Sequence, residues 1–335
     1  MSKQLNFPPE IQSYSSPVAK ALEKRLYHKF TTNIQKLNGK QIIFNNKDSE
    51  LMPFGGWPSK DKILVKEFSL KSETTLIAGL DSSCIQVAKS EEGSIYAAKI
   101  AICFFANRMP CNYIRIGPIL FYLDESSSNN GVTKLVLSEK TLAQRMIRIR
   151  MERIAGVELA HHLSKAIILF DGSLKYSIFD EQNEDLNEII MLAKMRSNNI
   201  IGFSKTSKIR IINKYAGIMR SMTKAPIYSD IHDSISHFMD LKGRVLLIKF
   251  TKDGLVFRAD FGTFDLNVCE QTLSKIKYND RFWRGYPESL RIAHHLSIIT
   301  NSEIFAIKSY LKKIGAIELP SENVREIILG NLKIR

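Results

Sequence analysis

The chain has 335 residues, 44% hydrophobic and 24% charged, which is the composition of a globular protein with one large domain or two ordinary ones. Its 48 Lys and Arg residues against 34 Asp and Glu give a net charge of +14, which favours a polyanionic partner and nucleic acid first. No apolar run is long enough for a membrane span, and the first eight residues lack the apolar core of a signal peptide, so we expect an intracellular protein. The four cysteines form no C-x-x-C pair, which argues against a disulfide scaffold or a zinc knuckle.

The first 70 residues are predicted to form a helical and loop appendage. A helix is predicted over Val18–Leu37, with Pro17 near its first turn, and a loop over Asn45–Lys62. Strands, helices and a hairpin around Lys252-Asp253-Gly254 follow over residues 71–335. The predicted strands are Thr75–Leu80, Ser94–Phe105, Tyr113–Leu123, Ala166–Phe170, Asn199–Phe203, Arg244–Phe250 and Leu255–Phe261, and the predicted helices are Ser138–Leu163, Asn183–Ser197, Asp265–Lys277 and Glu288–Thr300. This order predicts an α/β fold with a mixed sheet flanked by helices on both faces.

Two apolar stretches are each predicted to end on an aspartate. The first runs into Asp81-Ser82-Ser83 and the second into Asp171-Gly172-Ser173. Either aspartate alone can be an ordinary turn former. Together at one edge of the sheet they are the minimum set of oxygen ligands for a divalent cation.

The helix before the second aspartate offers a third carboxylate. Glu152 and Glu158 are six residues apart, about 600° of helix rotation, so they face different ways. Glu152 can instead form a surface pair with Arg148 at i,i+4. The spacing leaves open which glutamate joins the two aspartates.

The stretch between Glu188 and Asp230 carries eight basic residues and no acidic one. With Tyr215 and Tyr228 it is a candidate surface for the phosphates of DNA, although a solvated basic face is the alternative. Lys205 follows an apolar strand and is predicted to lie near Asp171. The basic residues are Lys194, Arg196, Lys205, Lys208, Arg210, Lys214, Arg220 and Lys224.

Two further groups of polar residues lie toward the C-terminus. Strand alternation predicts Arg258 and Asp260 on one face, as an ion pair or as part of the site. In the last predicted helix, Ile292, Leu296 and Ile299 have helical spacing and are predicted to face the core, which leaves His294 free to point at the sheet edge. A histidine there can bind a transition metal or move a proton.

Six short motifs, in this order, resemble the archaeal NurA nuclease family over roughly residues 75–300. They are Leu80-Asp81-Ser-Ser, Arg150-Met-Glu152, Leu169-Phe-Asp171-Gly-Ser-Leu174, Gly202-Phe-Ser-Lys205, Phe257-Arg-Ala-Asp260 and Gly285-Tyr-Pro-x-x-Leu290-x-x-Ala293-His294. The resemblance implies an RNase H-like nuclease domain that acts on DNA with Mn²⁺ or Mg²⁺. It also implies single-strand endonuclease and 5′–3′ exonuclease activity in double-strand-break repair, as a homodimer beside the hexameric HerA translocase.

Carried over by position, the resemblance gives Asp81, Glu152, Asp171 and His294 as catalytic and metal-binding residues, with Glu158 as the alternative glutamate. The predicted DNA-binding residues are Lys205, Lys208, Arg210 and Lys214 of the basic stretch, together with Tyr286. The family's first motif usually has Gly where this chain has Ser82, and a turn with positive φ would be strained by Ser.

Two other classes of function stay open on the sequence. One is an actin-like or sugar-kinase ATPase, which shares the RNase H-like core, although the last third of the chain has no Gly-Gly pair for phosphate-binding turns. The other is a non-catalytic, basic DNA-binding subunit.

Overall fold

The computed structural model of the chain describes residues 9–30, 41–44, 63–90, 92–124, 140–174, 186–205, 210–238 and 240–318. Seven helices are labelled in these ranges, apart from a short helical segment over residues 232–238. They are α1 (Pro9–Phe30), α2 (Lys140–His162), α3 (Leu186–Met195), α4 (Arg210–Ser221), α5 (Leu266–Asn279), α6 (Glu288–Ser297) and α7 (Asn301–Lys313).

Most strands of the same ranges belong to one large sheet. The strands are β1 (Gln41–Phe44), β2 (Val65–Glu67), β3 (Ile77–Lys89), β4 (Gly93–Ala106), β5 (Met109–Asp124), β6 (Ile167–Asp171), β7 (Asn199–Ser204), β8 (Ile227–Asp230), β9 (Val245–Lys249), β10 (Phe257–Phe261), β11 (Phe282–Trp283), β12 (Tyr286–Pro287) and β13 (Ile317–Glu318). Only β11 and β12 pair apart from it, as a short hairpin.

The sheet is mixed, in the order β5-β4-β3-β6-β7-β10-β9-β8-β2. Strands β3, β4 and β5 are antiparallel neighbours, β6 and β7 run parallel to β3, and the strands beyond β7 are antiparallel. Three antiparallel strands followed by two that are parallel to the first is the arrangement of an RNase H-like core. The predicted fold class is therefore confirmed.

Helices cover both faces of this sheet because its strands carry apolar side chains on both faces. Ala78 and Phe170 belong to the core under α1, α2 and α3, while Ile77 and Leu169 belong to the core under α5 and α6. Neighbouring residues of a strand point to opposite faces, so each strand contributes to both cores. A side chain that follows Phe170 consequently points toward α6.

Helix α1 packs onto the first of these cores. Val18, Leu22 and Leu26 are fully buried in it. The helix begins at Pro9, so the prediction that it starts near Pro17 is wrong: Pro17 lies inside the helix. Residues 31–40 and the predicted loop at 45–62 lie outside the described residues, and the domain boundary near residue 70 stays a prediction.

The predicted turn at Asp81 is wrong, because β3 continues through Asp81 to Lys89. The continuation is held by β4, which pairs with β3 from Ile77 through Lys89. Tertiary pairing thus overrides the local polar run. Ser82 is not among the residues with positive φ, so serine is unstrained at this position.

The remaining predicted elements agree with the structure to within a few residues. The predicted hairpin around Lys252-Asp253-Gly254 is confirmed as β9 and β10. Sequence patterns did not predict β1, β2, β8, β11, β12, β13, α4, α7 or the short helical segment over residues 232–238.

Candidate metal centre

Strand register places the two predicted aspartates side by side. Leu80 pairs with Phe170 as the last pair between the parallel strands β3 and β6, so Asp81 and Asp171 occupy the next positions. Asp171 is the last residue of β6 and still pairs with Phe203 of β7. Asp81 lies within β3, but it directly follows the last residue of β3 that pairs with β6.

Helix α6 brings His294 to the same point. A side chain at Gly79 would not fit beneath this helix, since a Cβ there would lie 2.7 Å from the backbone carbon of Ser289. The close approach allows His294 Nδ1 to reach Asp81 Oδ2 at 2.7 Å. Asp81, Asp171 and His294 each offer a ligand atom, and these three atoms lie within 4.8 Å of one another.

The predicted inner face of α6 is only partly confirmed. Ile292 packs half-buried against the core, and Ile299 is buried just past the end of the helix. The fully buried residues of the helix itself are Ser289, Leu290, Ala293 and Ser297. Small side chains form this face because the helix packs so close to β3. His294 adjoins that face and keeps 48% of its side chain exposed.

Asp81 is held as a buried carboxylate. Its side chain is 2% exposed, accepts a hydrogen bond from the Ser297 hydroxyl at 3.2 Å, and lies 3.5 Å from the Arg148 guanidinium. Burial alone would raise the pKa of Asp81, but the hydrogen bond from His294 and the charge of Arg148 hold it below its usual value. With Asp81 ionised, we assign the hydrogen of this contact to His294 Nδ1, so that Nδ1 donates and Asp81 Oδ2 accepts.

Glu152 lies beside this group on α2. Ser82 Oγ donates a 2.6 Å hydrogen bond to Glu152 Oε1, and Arg148 NH2 lies 3.7 Å from the same oxygen. Burial raises the pKa of Glu152 to about 7, although the charge of Arg148 opposes the shift. The negative charge of Asp81 raises this pKa further. Glu152 is not one of the three residues whose ligand atoms meet.

Glu158 is engaged elsewhere. It pairs with Arg25 of α1 at 2.6 Å and with His162 at 3.3 Å. Of the two glutamates that the sequence left open, Glu152 is therefore the one beside Asp81.

Asp171 opens onto a cleft of about 420 Å³ that Glu152 and Arg148 also line. Lys205 follows β7 and its Nζ lies 2.6 Å from Asp171 Oδ2, as the sequence predicted. The same Nζ lies 4.9 Å from the centre of the Tyr286 ring. Burial raises the pKa of Tyr286, and the charge of Asp171 raises it further, so the phenol stays protonated.

In the described part of the basic stretch, β7 separates the first basic residues from Lys205. Lys194 and Arg196 precede β7 and Lys205 follows it, so they lie at opposite ends of a strand about 20 Å long. The two tyrosines of the stretch, Tyr215 and Tyr228, are buried in the core, and their predicted part in a DNA surface is wrong.

The rest of the predicted DNA-binding set falls in and around α4. Lys214 is exposed on this helix. Lys208 lies outside the described residues, and α4 begins at Arg210, whose side chain is not described.

Arg258 and Asp260 form a buried pair on β10, with Arg258 Nε 2.6 Å from Asp260 Oδ1. This agrees with the predicted ion pair. Arg148 and Ser297, which the sequence analysis did not assign to the site, both contact Asp81. The i,i+4 spacing of Arg148 and Glu152 was the available signal for the first, whereas the sequence held no signal for Ser297.

The donor set suits a divalent cation. Two carboxylates and an imidazole are ligands for Mn²⁺, and carboxylate oxygens also suit Mg²⁺. Lys205 and Arg148 both lie against these carboxylates, so the carboxylates already attract positive charge. The residues present therefore fit a metal.

A family model described as the NurA domain matches residues 75–299. Among solved structures, the chain is similar to the NurA nuclease from Sulfolobus solfataricus, with 16% identity and a TM-score of 0.50 over 74% of this chain and 87% of that one. It also matches a structure of NurA with manganese (10% identity, TM-score 0.45, 74% of this chain and 91% of that one). A structure of NurA bound to dAMP and manganese matches with 12% identity and a TM-score of 0.45, over 93% of this chain and 97% of that one.

A comparison with curated proteins gave no match. No helix in the described parts of the chain has both the length and the apolar character of a membrane span. The family model covers well over half of the chain, and the motifs it spans include the three residues that meet at the sheet edge. The chain belongs to the NurA family.

Proposed function

We propose that the chain is a metal-dependent deoxyribonuclease that hydrolyses phosphodiester bonds at the site formed by Asp81, Asp171 and His294. The observation that carries the proposal is the meeting of these three ligand atoms within 4.8 Å. The three residues are separated by long stretches of chain and come together only through the fold. Family membership supports a nuclease.

In this proposal Asp81, Asp171 and His294 hold the metal, and Glu152 completes the set as the third carboxylate. When bound by these residues, a divalent cation would supply activation of a water and would offset charge that develops on the phosphodiester. Arg148, which lies 3.5 Å from Asp81 and 3.7 Å from Glu152, holds both carboxylates in position.

Lys205 binds the DNA substrate in this proposal, and Tyr286 positions Lys205. Lys205 is a half-exposed cation that lines the cleft, and we propose that it leaves Asp171 to neutralise a phosphate oxygen when DNA binds. The Tyr286 ring packs beside it and keeps the ammonium at this edge of the sheet. His294 can also give or take a proton in the reaction.

The finer function follows the family resemblance. We propose that the protein resects DNA ends in double-strand-break repair, as a single-strand endonuclease and 5′–3′ exonuclease. It would work as an intracellular homodimer beside a hexameric HerA-type translocase. The net charge of +14 suits a protein that surrounds or follows DNA.

The test is cleavage of 5′-labelled linear DNA with Mn²⁺ or Mg²⁺, with and without EDTA, and with ATP hydrolysis measured in parallel. We expect cleavage that EDTA abolishes and no ATP hydrolysis. Asp171→Asn should abolish cleavage and leave DNA binding nearly intact, because it removes a metal ligand's charge and little packing.

More than a tenth of wild-type activity in Asp171→Asn would overturn the site assignment. ATP hydrolysis without cleavage would favour the kinase-like class. DNA binding with neither activity would favour a non-catalytic subunit.

A further inference from the structure

The β11–β12 hairpin projects an exposed aromatic residue next to the proposed site. Phe282 and Trp283 pair with Pro287 and Tyr286. Phe282 packs against Phe250 with ring centroids 4.4 Å apart and so anchors the hairpin to the core. Trp283 instead keeps 61% of its surface exposed.

The tip of the hairpin carries a strained arginine. Arg284 has φ 49° and Gly285 has φ 84°, so both central residues of the turn lie in the left-handed region. Such turns favour Asn-Gly, since only glycine and a few short polar residues adopt positive φ easily. Arg284 is exposed, and no ion pair is seen for it among the described residues. A strained, charged residue kept at a turn points to a role for its side chain.

The hairpin is fixed at its base and at its tip. At the base, Asp280 accepts hydrogen bonds from the Ser289 backbone N–H at 3.2 Å and from the Ser289 hydroxyl at 2.5 Å. At the tip, the Leu255 N–H donates to the Arg284 carbonyl oxygen at 2.8 Å. The exposed side chains are therefore presented on a fixed support.

Two contacts connect this support to the proposed metal site. Trp283 is directly opposite Tyr286, whose ring lies 4.9 Å from Lys205 Nζ. The guanidinium of Arg291 lies 5.8 Å from the centre of the Trp283 ring, and Arg291 is one helical turn before His294 on α6. A group that stacks on Trp283 would thus lie beside the cleft that Asp171 lines.

We propose that Trp283 and Arg284 form a subsite for single-stranded DNA, in which the indole stacks on a nucleobase and the guanidinium binds a neighbouring phosphate. The inference rests on the proposed function, because it takes DNA as the substrate. An exposed aromatic ring with cations beside it is the usual combination for an unpaired strand. In a duplex the faces of the bases are covered by their neighbours, so the indole discriminates in favour of single strands.

The first test is spectroscopic. The chain has two tryptophans, Trp57 and Trp283, so Trp57→Phe leaves Trp283 as the only source of indole fluorescence. In EDTA, where no cleavage is expected, oligo-dT should quench this emission, and a blunt duplex of the same length should quench it much less. Unchanged emission at saturating oligo-dT would overturn the subsite.

The second test compares affinities in EDTA. Stacking contributes about 1–3 kcal/mol per base, so Trp283→Ala should weaken oligo-dT binding at least about fivefold, whereas Trp283→Phe should retain most of it. Phe264→Ala is the matched control, since Phe264 is 55% exposed and follows β10 at the end of the sheet away from the site. Duplex binding should change less than twofold in all three variants. An equal loss for single strands and duplex would contradict the proposal.

Arg284→Asn tests the phosphate contact separately. Asparagine tolerates positive φ, so the melting temperature should stay the same or rise. The slope of log K against log salt for oligo-dT should fall by about 0.7. A lower melting temperature with an unchanged salt slope would show that Arg284 has only a structural role.

These outcomes separate the subsite from the proposed function. Quenching and selective loss in Trp283→Ala, with no cleavage by the wild-type protein in Mn²⁺, would retain the subsite and remove the nuclease. Metal-dependent cleavage with no effect of Trp283→Ala on oligo-dT binding would retain the nuclease and remove the subsite.

Discussion

At the scale of single residues, Glu152 combines burial with a neighbouring negative charge. Its pKa of about 7 in the folded protein exceeds its ordinary value of 4.5, so between these values the folded state holds a proton that the unfolded state releases. The contribution of Glu152 to the unfolding free energy of the metal-free protein therefore falls as pH rises through this window, and stays low above it.

Glu152→Gln removes this pH dependence. Relative to wild type, the metal-free variant should gain stability between about pH 5 and about pH 8 in urea unfolding. Glu158→Gln is the control: it loses the pair with Arg25 and should show no such gain. A pH-independent difference between wild type and Glu152→Gln would show that Glu152 is ionised in the fold.

The same two variants test the third carboxylate in catalysis. Glu152→Gln should reduce metal-dependent cleavage at least tenfold, and Glu158→Gln should not, since Glu158 lies against α1. If only Glu158→Gln lost cleavage, Glu158 rather than Glu152 would be the third carboxylate. The measurement is the initial cleavage rate over a series of Mn²⁺ concentrations.

Residue patterns predicted which residues the fold brings together more successfully than how the elements hold them. The motifs named Asp81, Asp171 and His294, and the fold brings them together. Helical spacing could not separate Glu152 from Glu158, because the choice depends on where Arg25 of α1 packs. The extension of β3 past Asp81 depends on its long pairing with β4, which local sequence does not specify.

At the scale of elements, the distance between α6 and β3 decides whether His294 reaches Asp81. Gly79→Ala places a methyl group 2.7 Å from the Ser289 backbone and should push the helix outward. We expect a loss of about 1–3 kcal/mol in unfolding free energy and weaker Mn²⁺ binding.

Gly217→Ala is the matched control for Gly79→Ala. Gly217 lies in α4, nothing lies within 4 Å of its added Cβ, and alanine should stabilise the helix by about 0.5–1 kcal/mol. Unchanged stability and metal affinity in Gly79→Ala would show that the close packing of α6 does not position His294. Sequence alone could not assign this role to Gly79, because the contact joins residues more than 200 positions apart.

At the scale of the whole molecule, the described basic residues between Lys194 and Lys224 lie at more than one place on the fold. The interval from Lys194 to Lys224 looked continuous in sequence, yet β7 separates Lys194 from Lys205. Lys214→Ala should weaken DNA binding and reduce the salt slope by about 0.7–0.9, while Lys194→Ala should leave the slope unchanged. Equal effects of the two variants would contradict this division.

The family resemblance predicts a homodimer. Light scattering at micromolar protein concentration should give twice the chain mass of 38.2 kDa. A monomer under these conditions, together with no complex with a hexameric HerA-type translocase, would remove both partner proposals.

Asp81, Asp171 and His294 are proposed to bind a divalent metal, and the proposed function depends on this binding. Titration of the EDTA-treated, dialysed protein with Mn²⁺, followed by the electron paramagnetic resonance signal of the free ion, measures this directly. We expect saturable binding by wild type and by His295→Ala, because His295 is exposed on α6 and lies outside the three-residue group. Binding should be at least tenfold weaker in Asp171→Asn and in His294→Ala, with melting temperatures of the metal-free proteins close to wild type. Equal Mn²⁺ affinity in all four proteins would contradict the account.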